Sequence, residues 1–371
     1  MVPSKEDFQT VLAQARKLVQ EQLELTEKVI FGVAKNAPAG INERLESLFQ
    51  RKGKRIRSTL LCLIAQSGSQ KPDSLRVAHA CAGIELLHLA SLVHDDIIDG
   101  TDIRRGQKTA HKEWGTQVAV LIGDYVLSQS MQCVIDEESR DIPTVLSKAA
   151  DKLIEGEILE LDQSGNMRLS FEEYDRIIDG KTASLIAAAA RIGAILAGFD
   201  KEIIDKCAQM GSHFGIAFQI IDDLLDYGFG SKNLDKAKFT DLGNGLITLP
   251  LLYYFESCNE QERTEMEAQI ARAGETGVPE SIIEKLNEKD AFKKAKINAQ
   301  GHLEKTSGKT PPSVHPKREF LFSKGFPQKL RRAKCLGHRP KETRHIPLAA
   351  TGFAQKWQSR KTRPEEREAG L

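Results

Sequence analysis

The chain of 371 residues carries 53 Lys and Arg against 52 Asp and Glu, with 40% hydrophobic residues, values that exclude wholesale disorder and suffice for a self-standing core. The near-neutral total hides an uneven split: 17 basic and 6 acidic residues fall between His302 and Leu371, leaving 36 against 46 in residues 1–301. An acidic body disfavours nucleic acid as its substrate and favours cations, while six scattered cysteines without CxxC or zinc spacing signal neither a disulfide framework nor a zinc site.

Proline divides the chain, since inside a helix it removes a hydrogen bond and clashes with the preceding turn. None occurs between Pro72 and Pro143 or between Pro143 and Pro250, and apolar residues recur there every three or four positions. In chain order the pattern predicts helices over Lys5–Ala34, Ile56–Ala65, Asp73–Asp99, Thr116–Asp136, Thr144–Gln163, Phe171–Ala197 and Lys201–Tyr227. Alternating strand patterns are scarce, so the fold class is all-α. The stretch 180–198, with Ala187 to Ala190, is apolar on nearly every face and belongs inside a bundle; Arg191 interrupts it and it is too short to span a bilayer. The opening segment lacks the apolar core of a secretion signal, and with the unpaired thiols this places the protein in the cytoplasm. Residues 1–300 read as one domain. Residues 301–371, basic and proline-rich without helical period, read as a disordered or aberrant tail, such as a shifted reading frame would give, with a domain-closing helix missing as its consequence.

Two predicted helices end in the same acidic motif, Asp95-Asp96-Ile97-Ile98-Asp99 and Asp222-Asp223-Leu224-Leu225-Asp226. Positions i and i+4 share a helix face, so Asp95 pairs with Asp99 and Asp222 with Asp226, with Asp96 and Asp223 beside them. Two carboxylates about 5 Å apart repel by about 3 kcal/mol at an effective dielectric of about 20, a cost a divalent cation reverses. Hard oxygen ligands with room for water suggest Mg2+ bridging to a phosphate-bearing substrate. One such motif alone reads equally as a solvated helix end; two copies with matching apolar lead-ins favour a site. His94-Asp95 also matches the HD pair of metal phosphohydrolases, but the further ligands that reading needs do not assemble. Basic residues flank the motifs: Lys54 and Arg57 in one run, then Arg104, Arg105, Lys181 and Lys236. Each offers charge-assisted donors to phosphate oxygens.

The stretches GKRIRSTL (53–60), LLHLASLVHDDIIDGTDIRRG (86–106), LIGDYVLS (121–128), GKTASL (180–185), GIAFQIIDDLLDY (215–227) and DLGNGLITLP (241–250) together resemble the trans-isoprenyl diphosphate synthase, or polyprenyl synthetase, family in order and spacing. The resemblance implies a bundle of antiparallel helices around a central cavity, with the two acidic motifs facing across its mouth. It implies two or three Mg2+ ions on the ligand set Asp95, Asp96, Asp99, Asp222, Asp223 and Asp226, gripping an allylic diphosphate such as farnesyl or geranylgeranyl diphosphate. Arg104, Lys181 and Lys236 would stabilise that leaving group; Lys54, Arg57, His88 and Arg105 would bind isopentenyl diphosphate; Thr182, Gln219 and Phe218 would line the reacting centre. It further implies a homodimer, at most peripheral membrane contact on product release, and a product such as a quinone side-chain precursor.

Family members with short products tend to carry an aromatic residue four or five positions before the first Asp of the first motif. Here those positions are Ser91 and Ala90, with Leu87 further down as a lower floor, so a medium- or long-chain product is expected over farnesyl or geranylgeranyl diphosphate. Two departures from the family pattern, Asp235 where Gly is common and Leu246 where Lys is common, touch no metal ligand. A class I terpene cyclase would show a mixed second metal motif, and a non-catalytic subunit would have lost one acidic motif; neither fits two intact copies.

Overall fold

The computed structural model describes residues 5–51, 53–69, 72–135, 140–229, 239–276 and 280–306. The helices are α1 (Lys5–Leu18), α2 (Gln20–Asn36), α3 (Asn42–Phe49), α4 (Ile56–Ala65), α5 (Ser74–Ile98), α6 (Ala110–Trp114), α7 (Thr116–Ile135), α8 (Asp141–Gln163), α9 (Phe171–Ile178), α10 (Ser184–Leu196), α11 (Lys201–Asp226), α12 (Thr240–Gly243), α13 (Leu249–Ser257), α14 (Glu260–Thr276), α15 (Glu280–Glu288) and α16 (Ala291–Thr306). Among the described residues the only strands form one antiparallel hairpin, β1 (Ile103–Arg104) with β2 (Gln107–Lys108). The all-α expectation holds.

Four local expectations are corrected. The first predicted helix breaks at Val19, whose backbone (φ −122°, ψ 23°) leaves the helical region. The helix expected from Thr144 begins at Asp141, because Pro143 falls in the first turn, where its missing N–H costs nothing. The helix expected over Phe171–Ala197 is interrupted by a π-helical turn, Asp179–Ala183. Helix α16 runs to Thr306, beyond the boundary expected at residue 300, with Leu303 and Thr306 buried. Residues 307–371, and the disorder expected of them, lie outside the described residues.

The chain divides into two compact units. The first holds the described residues up to 157, with 178–217 and 300–306; the second holds 158–177 and the described part of 218–299. In the first, α5 packs on α7, α2 and α4, and α10 packs on α4 and α5. Asp73 starts α5 by accepting the Arg76 amide at 2.7 Å. Leu61, Ile84, Leu146, Leu185 and Ile192 interlock in its core at zero exposure. Close approach of α10 to α4 needs a small residue: a Cβ on Gly193 would lie 2.7 Å from the Leu61 carbonyl oxygen. In the second unit, Asn259 and Glu262 form a reciprocal capping box at the start of α14, each amide at 2.9 Å from the other's side chain. Met266, Ile270, Ile282 and Leu286 are fully buried, and Tyr227 and Phe292 meet edge to face at 5.7 Å. Helices α14 to α16 carry the described chain to Thr306, and the missing closing helix expected of the tail falls on residues outside those described.

Candidate active site

The first acidic motif lies on the last turn of α5, with the Asp99 amide bonded to the Asp95 carbonyl at 2.8 Å. Asp99 is exposed and Asp95 half-buried. Burial, with the nearby carboxylates of Glu157 and Asp99, pushes the Asp95 carboxyl up to about 8, against the pull of Lys181 and Arg104. Asp96 differs: it is buried and accepts the Arg104 Nε at 2.6 Å. Arg104 itself stands on β1, and the hairpin turn runs through Arg105 and Gly106, both at positive φ. Arg51 braces this hairpin from the end of α3, donating to the Lys108 carbonyl at 2.9 Å and to Glu113 at 2.8 Å. His94 points to α7, 3.4 Å from Asp124 Oδ1 and 3.3 Å from the Val120 carbonyl, so it assembles no phosphohydrolase ligand set with Asp95.

Lys181 sits in the π-helical turn, its Nζ 3.0 Å from Glu157 Oε2 on α8. The π turn adds a residue to the helical circuit and re-aims what it carries, a device frequent at functional sites. Glycines let the backbones touch here: a Cβ on Gly180 would come 2.8 Å from the Gly156 Cα. The adjacent Thr182 is buried.

Two turns before Asp95 on α5, His88 lies among cations. Burial, then Arg57, Arg105, Arg104 and Arg55, push its imidazole well below the ordinary range, so it is neutral at physiological pH. The Arg57 Nε is buried with no hydrogen-bond partner, and Lys54 is exposed at the head of α4. Gly53 borders Arg105, whose guanidinium nitrogen would be 3.6 Å from a Cβ there. An orphaned guanidinium nitrogen beside clustered positive charge is complementary to a polyanion such as diphosphate.

In the second unit, Asp222 is exposed, Asp226 half-buried and Asp223 buried. Asp223 Oδ2 accepts the Tyr174 hydroxyl at 2.5 Å and Oδ1 accepts Gln219 Nε2 at 2.8 Å. Its carboxyl is pushed up to about 7, first by burial and then by Asp222 and Glu160, although both hydrogen bonds favour the anion. Asp226 Oδ2 accepts the Asp241 amide at 3.1 Å. The Asp241 carboxyl is raised well above the ordinary range by burial and by Asp223, Asp226, Glu160 and Asp222. Gln219 therefore acts as a support of Asp223; Lys236 lies outside the described residues.

Both acidic groups fit a hard cation. Each gathers carboxylates that burial first and mutual repulsion second hold protonated, and the repulsion is the condition that a divalent ion relieves. Among the described residues no three Asp, Glu, His or Cys side chains form a complete cage. An ion held by one or two carboxylates plus water and substrate phosphate, the habit of Mg2+, suits that donor set.

Sequence reasoning missed Glu85, Glu157, Tyr174 and Asp241. Glu85 had a signal, being an acid within the apolar stretch of α5 and so in need of a buried partner. Glu157 and Tyr174 pair with residues 24 and 49 positions away and left none. The proposed chain-length residues separate. Leu87 packs in the core cluster with Leu146, Leu185 and Ile192, and Ala90 in another with Ile30, Leu86 and Ile122, while Ser91 is half-buried, its hydroxyl on the His88 carbonyl at 2.9 Å.

The sequence model for polyprenyl synthetase matches residues 38–286. The chain is 34% identical over 290 residues to the heptaprenyl diphosphate synthase component 2 of Geobacillus stearothermophilus, spanning 77% of this chain and 86% of that protein. It is 35% identical over 259 residues to the octaprenyl diphosphate synthase of Haemophilus influenzae, spanning 68% and 78%. A solved polyprenyl synthase from Caulobacter crescentus, complexed with calcium and isoprenyl diphosphate, superposes with a TM-score of 0.75 at 28% identity, covering 87% of this chain and 98% of that one.

Proposed function

The chain belongs to the polyprenyl synthetase family, and on that premise we propose which of its residues carry out the reaction and how. It is a prenyltransferase that elongates an allylic diphosphate with isopentenyl diphosphate units and releases diphosphate. The carrying observation is that α5 alone bears both chemistries in the first unit. Its last turn carries the half-buried Asp95 and the exposed Asp99, and two turns earlier His88 sits in a cluster of arginines. One diphosphate bound through metal and another bound directly by cations need that pair of environments.

Asp95, Asp99, Asp222 and Asp226 would hold the Mg2+ ions, which would neutralise the allylic diphosphate and make it a better leaving group. Lys181 and Arg104 add fixed positive charge to the same leaving group, each anchored by an acid, Glu157 and Asp96. Lys54, Arg57, Arg105 and neutral His88 grip isopentenyl diphosphate; a neutral imidazole can donate one hydrogen bond without adding to the arginines' mutual repulsion. Thr182 and Phe218 flank the reacting carbons. Departure of diphosphate leaves an allylic cation, the double bond of isopentenyl diphosphate attacks it, and a proton is lost to the released diphosphate, lengthening the chain by five carbons. Lys236 adds a further cation in this reading. The small Ser91 leaves room for a medium- or long-chain product, a reading supported by relatives named for heptaprenyl and octaprenyl products.

We take the working form to be a cytosolic homodimer. Exposed Leu121 and Ile135 on α7 and Ile154 on α8 offer apolar surface for a second copy, and the five described cysteines are free thiols. Helices α5 and α7 have the length and hydropathy of a membrane span, but 67% of the α5 window is buried in the core. A relative named as a second component favours a mixed assembly as the other possibility.

The test is incubation of purified protein with Mg2+, isopentenyl diphosphate and farnesyl or geranylgeranyl diphosphate, with chain-length analysis of the products. Expected are polyprenyl diphosphates that vanish in Asp95→Ala and Asp222→Ala. Folded wild-type protein that is a dimer by light scattering yet elongates no primer would favour the mixed assembly.

A further inference from the structure

The basic run that opens α4 divides its labour. Arg55 occupies the N-cap position with φ +52°, a left-handed conformation unfavourable for a residue with a Cβ, and makes no side-chain cap. Its guanidinium turns inward: Nε donates to Glu27 Oε1 on α2 at 2.8 Å and Nη1 donates to Glu85 Oε2 on α5 at 3.0 Å. The other oxygen of Glu85 accepts the Ser58 amide at 3.2 Å and the Ser58 hydroxyl at 2.7 Å. Glu85 therefore does from α5 what an N-cap side chain does locally, satisfying an orphan amide in the first turn of α4 and placing negative charge at its positive end.

Glu85 is 6% exposed inside an apolar helix, where an unpaired carboxylate would be strongly disfavoured. Its charge acts on Arg57 as well, opposing the effect of burial on that guanidinium. It stands one turn before His88 on the same helix. Lys54 directly precedes Arg55 and Arg57 follows it by two residues, so the pairing of Arg55 anchors the backbone that carries both.

We propose that Glu85, through Arg55 and the Ser58 amide, is a positioning residue that presets Lys54, Arg57 and His88 for the diphosphate of isopentenyl diphosphate, and so sets affinity for that substrate and not for the allylic one. The proposal rests on assigning this cluster to isopentenyl diphosphate. A carboxylate behind the cluster offsets repulsion between Arg55 and Arg57, so the cations stand assembled before the substrate arrives.

Glu85→Gln keeps the shape and an oxygen for Ser58 but removes the charge and turns an amide donor toward Arg55. Steady-state kinetics should show the KM for isopentenyl diphosphate rising about 10-fold or more, with kcat and the KM for farnesyl diphosphate within about 2-fold of wild type. General destabilisation would not split the two substrates. An unchanged KM for isopentenyl diphosphate, a parallel rise in both KM values, or a fall in kcat alone would overturn the proposal. Glu27→Gln, at the more exposed end of the same pairing, should give about a 3-fold rise in the same KM alone, and it decides the matter if Glu85→Gln does not fold. Calorimetric binding of inorganic diphosphate in EDTA reads the cation cluster without turnover and should weaken about 10-fold in Glu85→Gln; undiminished binding overturns the proposal. Failure of the wild type to elongate any primer would instead strike the functional assignment.

Discussion

Asp96 and Asp223 have the sequence of metal ligands and the surroundings of anchors. Arg104 takes the first; Tyr174 and Gln219 take both oxygens of the second. Burial raises the Tyr174 phenol well above its ordinary range, so it remains a donor. Tyr174→Phe should leave a buried carboxylate short of one bond and lower stability by about 2 kcal/mol in urea unfolding. It should also raise the Mg2+ concentration that half-saturates elongation, since Asp223 sits between Asp222 and Asp226. His302 on α16 meets His213 on α11, their Nδ1 atoms 3.2 Å apart. Burial, Lys305 and His213 bring His302 down to about 4. A depressed histidine binds fewer protons folded than unfolded between about 4 and 6.5, so its contribution is present above that window and is lost as pH falls through it. The melting temperature of wild type relative to His302→Gln should therefore decline as pH falls from about 6.5 to 4; a constant difference would contradict the assignment.

Among the elements, α4 was legible to the residue, Ile56–Ala65, because the apolar run Leu60–Ala65 follows a basic turn and stops before the polar Gln66-Ser67-Gly68. The aspartate pairs were legible because helical spacing alone puts i and i+4 on one face. The break at Val19 was not, since no glycine or proline marks it, and the π turn was not, since it lies where Gly180 meets Gly156, a contact with a residue 24 positions earlier that no local pattern marks. Gly193 marks a similar approach, and Gly193→Val should cost about 1–3 kcal/mol by forcing α10 away from Leu61. Along α5, Ser91 is half-buried and Ala90 packs against neighbouring helices. Ser91→Phe should shorten the polyprenyl product in chain-length analysis, whereas Ala90→Phe should show itself as a lowered melting temperature.

At the scale of the whole molecule, the acidic body and basic end read from the sequence map onto different material. Every described element lies before Ser307, and α16 completes its burial with Leu303 and Thr306. A chain ending at Thr306 should keep its melting temperature and its elongation rate; loss of either would give the last residues a part in the fold or the reaction. The acidic body also carries fewer charges than its formula suggests. Burial and neighbouring carboxylates raise Asp95 to about 8, Asp223 to about 7 and Asp241 well above the ordinary range, which favours protons on these groups near neutral pH. Loading Mg2+ is then an exchange of ions. A divalent cation bound by these carboxylates would displace protons into the solvent, so apparent affinity should climb as pH rises through about 7 to 8. Calorimetric titrations at pH 7 in buffers of differing ionisation heat would count the protons released, and the same titrations at pH 9 should find fewer.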